Sequence, residues 1–230
     1  MIFKNFILSI FMAVGFLSFS QQTFSGTQVI TYSYEGEGAD MMAQYMPQGM
    51  ISYYGKDKSA VDFKGAAMEA MMNRVVTTPT ESFAVNDSKK HIYTLDKELV
   101  DSNQPEMENL DVTKVDGETK DILGYNCEKY VVTMNQMGIE LSMVMWVTNK
   151  YALPEYEVPF SQDASFEVLK KANIKGLVLR LESDIPVPGA SIKMIMETTI
   201  LDTTPVAESI FEKPAGYEKK KFADMQLGGY

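Results

Sequence analysis

The sequence predicts an α+β protein built on one large, curved, antiparallel sheet with short helices on its concave side. Three observations carry this. Apolar residues make up 45% of the 230, enough to build a core. Runs rich in β-branched and aromatic residues recur along the chain, separated by short turns rich in Gly, Asn and Pro, as hairpins require. Helical spacing is confined to two or three short segments that do not alternate with the strands, so the sheet is not of the parallel, crossover-connected kind.

At the N-terminus, Lys4 gives a positive start, Phe6 to Phe19 are almost wholly apolar, and Ser18 and Ser20 are small residues of the kind a signal peptidase reads. This predicts a signal peptide over 1–20, cleaved after Ser20, and a single domain over 21–230 that is periplasmic or secreted. The apolar run is too short for a convincing membrane span. A lipid-anchored lipoprotein would need Cys at the cleavage point, where Gln21 and Gln22 stand.

Gln28 to Tyr34 reads as the first strand, ended by Gly36 and Gly38, and Ala39 to Tyr45 as a short helix ended by Pro47 and Gly49. Met50 to Tyr54 and Ser59 to Phe63 form a hairpin across residues 55–58. Met68, Met71, Met72 and Val75 recur at helical spacing within Gly65 to Val76, which predicts a short amphipathic helix or apolar lid closed by Pro79. Ser82 to Val85 pairs with His91 to Leu95, and Asp101 to Asn109 is a polar, acidic loop. The central hairpin spans Glu118 to Thr148 and turns at Gln136-Met137-Gly138, with Leu141, Met143, Met145 and Val147 on one face. Tyr151 to Asp163 carries Pro154 and Pro159 and stays irregular. Asp163 caps a helix from Ala164 to about Asn173, and Gly176 stops it. Leu177 to Ser183 and Ala190 to Leu201 form the last hairpin across residues 186–189, with Ile192, Met194, Met196, Thr198 and Ile200 on one face. Ala207 to Phe211 makes one helical turn, and the tail from Glu218 is charged and then Gly-rich.

The string Ile122-Leu123-Gly124-Tyr125-Asn126-Cys127-Glu128-Lys129-Tyr130, with Met145-Trp146-Val147-Thr148 and the closing Phe211-Glu212-Lys213-Pro214-Ala215-Gly216-Tyr217, resembles a family of exported bacterial proteins described as a domain of unknown function. That family looks related to the periplasmic lipoprotein carriers LolA and LolB. The resemblance implies an open half-barrel of antiparallel strands over helices, with an apolar cavity for acyl chains. It implies no individual binding residue.

The balance of 31 acidic against 21 basic residues, a net charge of −10, argues against nucleic acid as a partner, whose phosphates are bound by Lys and Arg. Nucleophilic triads need a histidine base, and the only one, His91, follows Lys89 and Lys90 beside a turn. Zinc-ligand spacings and glycine-rich phosphate loops do not occur in the sequence. The expectation is therefore a non-enzyme without cofactor or metal, acting as a monomer. With one Cys, Cys127, an internal disulfide is impossible and a buried, inert thiol is expected.

Methionine is the unusual residue. There are 17, and only Met1 and Met12 precede the expected cleavage point. Each alone reads as core filling, because the thioether fits irregular gaps. Together they read as an adaptable pocket for a lipid, acyl chain or other apolar small molecule. Leu141, Met143, Met145, Ile192, Met194 and Met196 are expected to line the sheet, and Met41, Met42, Met46, Met68, Met71 and Met72 to supply a lid. Two other classes stay open. One is Cu(I) binding by the Met41/Met42/Met46 and Met68/Met71/Met72 groups, since thioethers are soft ligands. The other is a structural or interaction module with a protein partner in the cell envelope, contacted through exposed strand edges.

Overall fold

The computed structural model describes residues 21–95, 107–136, 138–154, 164–187 and 190–224. The expected signal peptide, the loop residues 101–106, Met137, residues 155–163 and Pro188-Gly189 lie outside the described residues. The strands in chain order are β1 (Gln22–Thr23), β2 (Gly26–Glu35), β3 (Gly49–Tyr54), β4 (Ser59–Lys64), β5 (Arg74–Thr77), β6 (Ser82–Asn86), β7 (His91–Leu95), β8 (Met107–Ile122), β9 (Tyr125–Gln136), β10 (Ile139–Thr148), β11 (Tyr151–Ala152), β12 (Leu177–Val187), β13 (Ala190–Asp202) and β14 (Glu218–Lys221). Helices α1 (Ala39–Ala43), α2 (Ala66–Met71) and α3 (Ala164–Lys171) interrupt them.

Twelve of these strands make one sheet in the order β14-β7-β6-β5-β4-β3-β2-β13-β12-β10-β9-β8, which is not closed into a barrel. It consists of two meanders. Strands β2 to β7 pair each with its successor, as do β8, β9 and β10, then β12 and β13. The meanders meet where β13 returns to lie antiparallel beside β2. Beside this sheet, β1 and β11 pair in parallel, and the Gln21 amide donates to the carbonyls of Tyr151 and Lys175.

The expected all-antiparallel sheet is corrected to a mixed one, because β14 runs parallel to β7. A tight turn forces antiparallel pairing, but β14 reaches β7 only after residues 203–217 have crossed the sheet, and a crossing connection permits the parallel direction. That crossing buries Phe211 with Val206, Ile210 and Tyr217 against Ala60, Val76, Phe83, Val85 and Ile92 on the outer face. Arg74 ties it down: the guanidinium forks onto Asp62 at 2.5 and 2.9 Å, and its remaining arm donates to the Ile210 carbonyl at 3.4 Å.

The inner face carries two clusters. In one, Val168 and Leu169 of α3 pack with Ile30, Met50, Val132, Met134, Met143, Met145, Val147, Leu181 and Met196. In the other, Met72 and half-buried Met68 pack with Phe63, Val75, Ala84, Tyr93 and Leu95. Half-buried Val61 touches both.

Four expectations change at element level. The helix expected over Gly65 to Val76 is only α2, and Val75 lies in β5, where a Val-Val-Thr run favours extended backbone and Met72 has already turned to φ −153°. The polar stretch containing Asn109 belongs from Met107 onward to the 16-residue β8. Strand β12 continues through Pro186, which is tolerated because β10 pairs only as far as Ser183 and demands no amide proton beyond it. A bulge between Thr198 and Ile200 takes Ile200 off the shared face of β13 and leaves it 54% exposed.

Candidate functional site

Alternation along each strand decides which residues share the inner face, and register decides which of them meet. Met143 lies opposite Ser183, which lies opposite Met194, which lies opposite Tyr34. In the next row Met145, Leu181, Met196 and Tyr32 follow one another across the same four strands, β10, β12, β13 and β2. Leu141 opposes Met134 of β9, and Ile30 opposes Met50 of β3. The result is a band of thioether and aromatic side chains running across six strands.

Burial varies along this band, and Tyr32 of the second row is half-buried. In the second row Met145 is 0% exposed, Leu181 4% and Met196 6%, because α3 and half-buried Leu153, Ile174 and Val178 cover that side. Toward the end where β2 and β12 finish and β10 and β13 begin, Tyr34, Met194, Ser183, Leu141, Val112 and Leu110 are only half-buried around the buried Met143 and Met134. The two tyrosine hydroxyls in the band turn to protein partners. Tyr32 donates its hydroxyl to the Met50 sulfur at 3.4 Å, and Tyr34 donates to the Pro47 carbonyl at 2.7 Å. Burial pushes the Tyr34 phenol up to about 12.

The expected lining residues Leu141, Met143, Met145, Met194 and Met196 therefore come together on one face. Ile192 lies on the same face one row further out, opposite Ile185, and is 1% exposed. The expected lid residues divide. Met68 and Met72 belong to the neighbouring cluster, Met71 and Met46 are half-buried, and Met41 on α1 is 69% exposed. The Met42 side chain lies outside the described residues. Met50, Met134, Tyr32, Tyr34 and Ser183 join the band without having been singled out as lining. The signal for the tyrosines was present, since QVITYSY puts Ile30, Tyr32 and Tyr34 on one side.

The chemistry of this face is that of soft, polarizable, apolar surface. The histidine lies near the opposite edge of the sheet, with His91 Nδ1 3.1 Å from the Tyr93 hydroxyl and Nε2 3.5 Å from Glu218. Cys127 is fully buried with Phe24, Ile122, Tyr151, Leu177 and Leu179, and that burial pushes its thiol up to about 11. On the outer face the surface is polar. Lys120 and Lys129 stand 5.7 and 5.9 Å from the Trp146 ring centre, and Arg180 is held by Glu182 and Glu197. Among the described residues no group of three or more His, Cys, Asp and Glu is placed to hold a metal ion, and no helix is long and apolar enough to cross a membrane.

A family model described as a domain of unknown function, DUF4412, matches residues 24–217. No curated protein sequence matches the chain.

Proposed function

We propose a function for this chain, which belongs to the DUF4412 domain-of-unknown-function family, from its own side chains: it is an exported, non-enzymatic binding protein that holds an acyl chain or comparable apolar ligand. The observation that carries this reading is the half-buried stretch Tyr34, Met194 and Leu141 within the methionine band. A continuous apolar surface passes from fully covered Met145 to half-buried Met194, Leu141 and Tyr34, and is covered again at Ile192 on the same face of β13. Flexible thioethers repack around chains of different shape at little cost. Each methylene buried contributes about 0.8 kcal/mol, so roughly ten carbons offset the cost of association.

The finer reading, a LolA/LolB-like open half-barrel acting as a carrier in the envelope, is part of the same proposal. An unclosed sheet of twelve strands with α2 and α3 on one face supports it. Export after cleavage near Ser20 rests on the charged start, apolar run and small residues of the first twenty positions.

Native mass spectrometry of residues 21–230, purified without detergent and then incubated with lauric acid or monolaurin, tests the reading. A retained adduct that weakens in Met194→Gln and Leu141→Gln is expected. These positions are half-buried, so the fold tolerates the change, and circular dichroism checks that it does. A clean apo mass after incubation with both probes would sink the proposal.

A further inference from the structure

The segment between β2 and β3 holds two of the most exposed large apolar side chains in the described protein, Met41 at 69% and Tyr45 at 75%. Both follow directly on β2, whose inner-face residue Tyr34 is half-buried. The side on which the segment lies follows from its contacts. Tyr34 points to the inner face, in phase with Ile30 and Tyr32, and its hydroxyl bonds to the Pro47 carbonyl at 2.7 Å. A Cβ on Gly65, which precedes the inner-face helix α2, would lie 3.2–3.4 Å from Gln48, Met46 and Pro47. The C-terminal end of the segment is thus pinned on the inner side, between Tyr34 and α2.

At its other end the hydrogen bonds run within the segment itself, from the Ala39 and Met41 amides to the Gly36 and Gly38 carbonyls at 3.2 Å. Gly36 and Gly38 carry φ of 119° and 82°, conformations that side-chain-bearing residues seldom adopt, and a Cβ on Gly38 would meet nothing within 4 Å. Between them and Pro47 lies the five-residue α1, of which Ala39 is buried. A short helix held at one end and joined to the sheet by glycines at the other is built to rotate.

We infer that residues 36–46 form the lid of the acyl-chain site, and that Met41 and Tyr45 close over a chain lying against Tyr34 and Met194. The inference rests on the proposed function above. Met41 and Tyr45 face water, Tyr34 and Met194 are half-buried, and a third apolar body between the two surfaces would remove both exposures at once. The arrangement assigns lid contact to Met41 and Tyr45, and places Met68 and Met72 in a core that does not need to move.

The test uses the single engineered thiol of Met41→Cys in the mature chain, labelled with a polarity-sensitive dye. Native Cys127 is 0% exposed and takes no label in the folded protein. Adding monolaurin should shift the dye emission to the blue and reduce its quenching by iodide, while native mass spectrometry records the adduct. The double variant Met41→Ser/Tyr45→Ser, altered only at exposed positions, should bind about tenfold more weakly with unchanged circular dichroism. An adduct with no change in emission or quenching, or full affinity in the double variant, overturns the lid and leaves the binding reading standing. No adduct in any variant overturns the binding reading, and the lid with it.

Discussion

A methionine that seals the band and one that stands in water differ in what their loss should cost. Met145 is 0% exposed among Val147, Leu181 and Val168, so Met145→Ala leaves a cavity and should lower unfolding free energy by about 2–5 kcal/mol in urea titration. Met41→Ala, at 69% exposure, should change it by less than about 0.5 kcal/mol. Cys127 gives a second prediction, with a definite sign. In the unfolded chain the thiol ionises near 9, while in the folded core it stays protonated up to about 11. The unfolded state therefore loses its proton first, so stability that is full below pH 9 is lost as pH rises toward 11, by about 3 kcal/mol at most. Urea midpoints measured across that range should fall more steeply in the native protein than in Cys127→Ala; equal slopes would show that the thiol is not the group responsible. At this scale the sequence was informative about direction. Alternation correctly grouped Met143 with Met145 and Met194 with Met196, because side-chain period is fixed by strand geometry. It carried no information on depth, because depth depends on what distant segments such as α3 lay over the face.

Elements were legible where a turn residue marked their ends and illegible where pairing came from elsewhere in the chain. The hairpin β9-β10 announced itself through Gly138 and its flanking apolar runs. Strand β8 did not, since most of its described positions are exposed and polar and it forms a strand by lying against β9. Strand β14 reads Glu-Lys-Lys-Lys and has no intrinsic preference for extended backbone; it is an edge strand fixed by the crossing segment before it. That dependence predicts a large effect at Phe211, 5% exposed on the outer face under Lys58. Phe211→Ala should cost about 3–5 kcal/mol in thermal or urea unfolding, whereas a loosely attached tail would show almost none. Close approach fixes another element contact. A Cβ at Gly49 would come within 2.4 Å of the Ile30 carbonyl, so Gly49→Ala must push β3 from β2 and should lower stability by about 1–3 kcal/mol.

At the scale of the whole molecule, both edges of the sheet are unsuited to joining a second sheet. Strand β8 is broken by irregular register after Glu108 and after Lys114, with Asn109 and Gly117 at positive φ, and β14 presents three lysines. Residues 21–230 should therefore run as a monomer in size-exclusion chromatography with light scattering at micromolar concentration, and a stable dimer would point to an edge or face with a different use. The seam between the meanders has a further consequence, in time rather than in space. Every other pairing in the large sheet apart from β14 joins strands that follow one another in sequence, the longest gap being residues 149–176 between β10 and β12. The pairing of β2 with β13 joins Thr31 to Glu197 across 166 residues. Each meander can form early and locally, yet neither can finish the methionine band, whose two rows cross that seam. The rate of the last folding step is thus set by the closure of one long loop. A chain crossing a membrane in extended form would remain unable to hide this surface until nearly all of it had arrived on the far side.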